Sequence, residues 1–118
     1  MRLALALVLA LAGAGAAAEE VASAPGAVLR ALDRVSGETT DLELARGATA
    51  RFGRLDVTLS DCRYPVADPS ANAYAHLVIT DAEAGTVTFD GWMVASSPAL
   101  SALDHQRYDV WVIRCRSE

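Results

Sequence analysis

The sequence contains no lysine; all ten of its basic residues are arginine. Fifteen acidic residues outnumber them, for a formal net charge of −5. The arginines form no basic stripe. An acidic chain without one lacks the electrostatic footprint of nucleic-acid binding and of docking on an anionic membrane. Histidine and cysteine number two each, His76, His105, Cys62 and Cys115, with no CxxC pair. That leaves no ligand set for a structural metal, and neither metal nor cofactor is expected. A GxSxG nucleophile turn and a glycine-rich phosphate loop are also missing, which removes the commonest hydrolase and nucleotide signatures. The apolar run near the start of the chain is shorter than the ~20 residues that a membrane span needs.

What is present begins with "MRLALALVLALAGAGAAAEE". Arg2 precedes a short apolar stretch at 3–12, and small residues at 16–18 precede Glu19. This is the layout of a secretory signal peptide cut between Ala18 and Glu19. No cysteine lies near the cut, so neither a lipid nor a stable membrane anchor is expected afterwards. The periplasm is the expected compartment. The remainder suffices for one small domain, with residues 19–26 as a flexible linker, 27–115 as a single β domain and 116–118 as a polar tail. Both cysteines lie in the exported part. An even count in an oxidising compartment favours a disulfide, with two buried free thiols as the rival reading.

Alternation with a period of two dominates the domain. Leu42 and Leu44 alternate with Asp41 and Glu43, and Leu55, Val57 and Leu59 with Asp56, Thr58 and Ser60. Residues 73–80 and 86–95, joined by a turn at 81–85, predict a hairpin. Residues 63–72, with two prolines, read as an irregular loop. Ser97 before Pro98 resembles a helix N-cap followed by a first-turn proline. With Leu100 and Leu103 three apart, it predicts a short helix near 98–104. The segment 107–115 is apolar on both faces and predicts a central strand. The fold class is therefore all-β: a small sandwich or barrel of six to seven short, mostly antiparallel strands with one helix, with α+β as the alternative. Cys62 falls on the polar parity of its strand, so pairing requires a bulge near Asp61 to turn it inward.

The segments "FGRLDVTLSDCRYP", "FDGWMVASSPALSALDHQRYDVWVIRC" and "LRALDRVSGETTDLEL" resemble the bacterial family catalogued as domain of unknown function 2155. The resemblance covers about residues 27–115. It implies a small exported protein of Gram-negative bacteria with paired cysteines. It carries over no catalytic residue, because the family has no assigned function.

A hydrolase reading draws on Ser96, Ser97, Asp104, His105 and Asp109, but lacks the turn and oxyanion hole that a triad needs. His76 reads as a solvated strand histidine. Asp33, Asp41, Asp56 and Asp61 read as the wet face of strands and turns. The expectation is a non-enzymatic domain that binds or supports another envelope protein, as a monomer or weak homo-oligomer. Its candidate surface is Trp92, Met93, Leu100, Leu103 and Tyr108, although for the 91–105 segment the preferred reading is cover, with the 98–104 helix folding back over Trp92 as a plug and Leu100 and Leu103 roofing one end of the sheet. The alternative is a small-molecule or glycan binder using Trp92 and Tyr74.

Overall fold

The computed structural model describes residues 18–117. The expected signal peptide and its cut after Ala18 fall almost entirely outside the described residues. Eight strands follow one another: β1 (Val21–Ser23), β2 (Gly26–Asp33), β3 (Thr39–Ala45), β4 (Thr49–Phe52), β5 (Leu55–Pro65), β6 (Tyr74–Asp81), β7 (Thr86–Val94) and β8 (Tyr108–Arg116). Every pairing is antiparallel, and the fold is all-β. A five-stranded sheet has the order β1-β5-β6-β7, with β4 also on β5, and a three-stranded sheet has the order β3-β2-β8. The predicted 73–95 hairpin is the β6–β7 pair.

Residues of both sheets share one core. The five-stranded sheet contributes Leu55, Val57, Leu59, Ala75, Leu77 and Ile79, all fully buried. These are alternate residues of β5 and β6, so the period of two in the sequence becomes one apolar face. The smaller sheet contributes Ala27, Leu29 and Ala31 from β2 and Tyr108, Val110 and Val112 from β8.

Four expectations need correction. The central strand of the smaller sheet is β2, and β8 lies at its edge. The apolar outer side of β8 reflects a covering segment, not a strand on each side: Trp111 shares a small cavity with Pro98, Ala99 and Ala102. The supposed linker at 19–26 contains β1, which pairs with the end of β5 (Val21↔Pro65, Ser23↔Arg63). Ala24 and Pro25 then carry the chain across to the other sheet. In the same way Arg116, expected in the tail, is the last residue of β8.

The fourth correction concerns 98–104, where there are turns and no helix. The Ser97 N–H donates to the Val94 carbonyl and the Leu100 N–H to the Ser97 carbonyl. Segment 95–107 leaves the end of β7 near Tyr74 (Tyr74↔Val94) and must reach Tyr108, at the end where β2 finishes (Asp33↔Tyr108). That is about the length of a nine-residue strand, ~30 Å. Winding seven residues at ~1.5 Å each would leave little slack, and so short a helix nucleates poorly. The stretched segment buries Leu103 in the core and leaves Leu100 76% exposed.

Two bulges bring the cysteines inward. Register along β5–β6 shifts between Leu59 and Asp61, which makes Ser60 the extra residue. Along β2–β8, Val28 faces Arg114 and Leu29 faces Val112, which makes Ile113 the extra residue. Each bulge flips the parity of the residues beyond it. Cys62 thus joins the core face of β5, fully buried, and Cys115 that of β8. They form a disulfide between the two sheets, with Cα atoms 5.7 Å apart, within the usual range of roughly 4.4–6.8 Å.

Candidate functional site

The residues of the hydrolase reading lie apart. Ser96 sits beside Asn72, whose Nδ2 donates to Ser96 Oγ at 2.9 Å and whose Oδ1 accepts the Ser96 N–H at 3.0 Å. His105 lies at the other end of the sheets, with its Nε2 3.0 Å from Asp81 Oδ2. The His105 Nδ1 accepts the backbone N–H groups of Arg107 at 3.0 Å and Tyr108 at 3.2 Å. Backbone N–H groups only donate, so the ring proton is on Nε2 and is donated to Asp81. Both ring nitrogens are engaged in structure, and no serine is among their hydrogen-bond partners in the described residues.

His105 belongs instead to a latch. Asp33 and Asp81, both buried, end β2 and β6 and begin two turns of the same pattern, D-x-x-x-G. In each, the aspartate carboxylate accepts backbone N–H groups two and three residues on: Val35 and Ser36 from Asp33, Glu83 and Ala84 from Asp81. The closing glycines, Gly37 and Gly85, take φ values of 77° and 70°, which side chains disfavour. The Gly37 and Gly85 N–H groups return to the carbonyls of Asp33 and Asp81. His105 binds Asp81 of one sheet, and Arg107 binds Asp33 of the other through Nε at 3.1 Å and Nη2 at 3.0 Å. The guanidinium carbons of Arg54 and Arg107 are 5.8 and 5.3 Å from the ring centre of Tyr108. Two side chains two residues apart therefore tie the sheets together at this end. Asp33, expected on a wet face, is buried because Arg107 and two amides replace its water.

The latch sets a pH dependence. Arg107, helped by the Val35 and Ser36 amides and opposed by burial, lowers Asp33 from 3.8 to about 2. His105 first, then the Ala84 amide and Arg54, hold Asp81 well below the ordinary carboxylate range against burial. A carboxylate with its pKa lowered in the folded state stabilises the fold in full above its unfolded pKa, and that contribution is lost as pH falls through the folded value. Urea midpoints for the domain are therefore expected to decline as pH drops from about 4 to about 2. The decline should be shallower in Asp33→Asn, whose stability at neutral pH is already reduced. An Asp33→Asn profile parallel to the wild type would refute the assignment.

The five-stranded sheet carries a different group on its outer face. Beyond the Ser60 bulge, Asp61, His76 and Trp92 stand opposite one another on β5, β6 and β7, and Arg63 stands opposite both Ser23 and Tyr74. The Arg63 guanidinium carbon lies 4.9 Å from the Trp92 ring centre, within cation–π range. The His76 ring meets Trp92 edge-on at 5.2 Å. Arg63 Nε donates to Asp61 Oδ2 at 2.9 Å, and Ser23 Oγ donates to the same oxygen at 3.2 Å. Burial raises the Asp61 pKa, but Arg63 and Ser23 outweigh it and leave it lowered. The Tyr74 hydroxyl donates to Glu19 Oε2 at 2.8 Å, which raises its pKa. Val21, Arg63, Tyr74 and Trp92 together line an open groove of about 280 Å³.

Of the sequence candidates, Trp92 is on this surface, 38% exposed, and Leu100 is exposed elsewhere on segment 95–107. Met93, Leu103 and Tyr108 are at most 4% exposed. They are core residues, and no binding surface unites the five. Val21 and Arg63 were missed. Val21 lay in the supposed linker and Arg63 in the supposed loop after Cys62, and the bulge that sets Arg63 on the outer face leaves little trace in composition. Among the described residues no group of three or more His, Cys, Asp or Glu side chains could hold a metal, and no helix is long and apolar enough to cross a membrane.

Comparison with known proteins places the chain in a family. Residues 27–115 match the family described as "Uncharacterized protein conserved in bacteria", domain of unknown function 2155, and the chain belongs to it. The chain is also similar to "Uncharacterized protein RP359" of Rickettsia prowazekii (strain Madrid E), at 28% identity over 88 residues, covering 72% of this chain. It spans 57% of that relative's length. No solved structure matches.

Proposed function

We propose that this chain is a non-catalytic, exported binding domain that engages another envelope protein through the outer face of its larger sheet, with Trp92 as the anchor. The observation that carries this reading is the state of Trp92. Arg63 of β5 and His76 of β6 hold its ring, yet it remains 38% exposed. The segment that follows β7 turns away from it and packs beside Trp111 instead. A fixed, partly exposed tryptophan flanked by an arginine is the kind of residue that dominates protein interfaces. Export is supported by the leader-like first 18 residues and by the disulfide.

Two aromatic rings, Trp92 and Tyr74, on one groove also favour a glycan or small-molecule ligand. The protein partner is preferred because the polar groups beside the rings already satisfy one another: Asp61 with Arg63 and Ser23, Tyr74 with Glu19. Sugar hydroxyls would find few free partners. Wild-type protein is expected to retain a periplasmic protein in affinity capture, and Trp92→Ala to lose it with little change in melting temperature. Saturable quenching of Trp92 fluorescence by muropeptides, with no protein captured, would favour the glycan reading instead.

A further inference from the structure

We propose that the partner docks at the free edge of β7: an extended segment, carrying a basic residue with an apolar residue two positions away, adds to the larger sheet as a strand beside Phe89–Val94. The inference rests on the outer-face reading, since Trp92 is its anchor, and it names the backbone that the partner engages.

β7 ends the larger sheet, with β6 on one side and no strand on the other. Outside its pairing with β6, its backbone makes one further main-chain bond among the described residues, accepting the Ser97 N–H at the Val94 carbonyl. The smaller sheet has two edges, β3 and β8, and both are guarded. Asp41 and Glu43 stand on β3, and segment 95–107 packs beside Trp111 of β8. Charges and covering loops are ordinary defences of an edge. β7 has no lysine, arginine or proline, and its single charge is Asp90. It does carry a bulge near its start: Ile79 faces Phe89 and Thr80 faces Val87, so Thr88 is the extra residue. A bulge disrupts pairing locally, which confines the regular edge to Phe89–Val94.

Gly91 lies inside that stretch and is partly exposed, so main chain is open to solvent there. The fold itself does not require a glycine at this position. Its φ is not positive, and an added Cβ would meet only the Phe89 ring, at 3.5 and 3.7 Å, an ordinary contact. A glycine inside a strand often marks the close approach of another backbone. The outer-face side chains define the incoming strand. Asp90 stands opposite Val78 and Trp92 opposite His76. The Asp90 side chain is 61% exposed, with the His76 Nε2 3.4 Å away. Alternate residues of an added strand share that face. The one beside Asp90 is matched by a positive charge, and the one beside Trp92 by an apolar side chain. A second copy of this chain fits less well. Asp90 is the middle residue of β7, so two β7 strands paired antiparallel about their middles would set Asp90 against Asp90, and like charges directly opposite destabilise a pair.

The probe is the capped peptide Thr-Val-Thr-Arg-Thr-Val-Thr, on the mature, oxidised protein. One control carries glutamate in place of arginine. The other is the arginine peptide N-methylated throughout, which keeps the side chains and removes the N–H donors that strand addition uses. The arginine peptide should bind saturably and slow amide exchange most at residues 88–94. The glutamate peptide should bind about fivefold more weakly, and the N-methylated peptide should not bind. Asp90→Asn should abolish the preference between the charged peptides, and Asp90→Arg should reverse it. Equal binding of the N-methylated peptide, no gain of protection at 88–94, or an unchanged preference in both Asp90 variants would overturn the proposal. Loss of the captured envelope protein in Trp92→Ala could stand beside any of those results, so the outer-face reading can hold where strand addition fails.

Discussion

Replacing Cys62 and Cys115 together by alanine is expected to destabilise the domain by about 2–5 kcal/mol. The bond closes a loop with a sequence separation of 53, for which the chain-entropy model gives roughly 4 kcal/mol. Its position adds a local effect. The strand β8 lies at the edge of the three-stranded sheet and is held by β2 on one side. At its first residues the latch of Arg107 on Asp33 and His105 on Asp81 joins the sheets; at its last residues the disulfide does so. Without the bond, that end can fray while the latch holds. Amide exchange should therefore rise most at residues 112–116 and less at 108–110. Urea unfolding gives the total and hydrogen exchange gives the distribution. An unchanged urea midpoint, or a rise in exchange spread evenly over both sheets, would contradict this account.

The second large effect is expected at Leu103. Leu103→Ala should cost about 2–5 kcal/mol, the range for emptying a buried leucine site. Leu100→Ala should stay within about 0.5 kcal/mol, as is usual for a surface position. The two residues lie three apart in sequence, and on a helix they would share a face and both matter. In the observed segment Leu103 is 4% exposed and Leu100 is 76% exposed. Thermal or urea melts of the two single variants separate the cases directly. Comparable losses at both positions would favour the helix that the sequence suggested.

The periodicity of β3, β5 and β6 was legible because buried residues alternate there with more open ones, and the 73–95 hairpin followed from the strand signals on either side of its turn, although in β7 only Met93 is buried and Val87 is exposed. The bulge near Asp61 was legible as well, through a conflict: Cys62 lay on the polar parity of a strand that otherwise placed every apolar residue on the other face. Beyond the bulge the pattern stopped being informative. Arg63 and Tyr64 looked like the start of a loop, although β5 continues to Pro65, and so the Arg63–Trp92 contact was out of reach. The helix at 98–104 failed for a tertiary reason. Ser97 and Pro98 are sound local signals, but the segment has to span the flank from one end of the sheets to the other, and no local rule contains that distance. The latch was half visible. The repeated D-x-x-x-G at 33–37 and 81–85 marks both turns, but nothing near Asp33 points to Arg107, 74 residues away. Trp92 was singled out from the sequence, with cover by the following segment preferred; the structure leaves it open because that segment is committed to Leu103 and Trp111.

The most direct test of the outer face as a contact surface is site-specific photo-crosslinking in the periplasm. A benzophenone-bearing residue would replace either Val21, on the wall of the groove, or Glu43, exposed on β3 of the other sheet. The account predicts a discrete adduct with an envelope protein from position 21 that disappears when Trp92→Ala is added, and no such adduct from position 43. An adduct from position 43 alone, or one from position 21 that persists in Trp92→Ala, would contradict it.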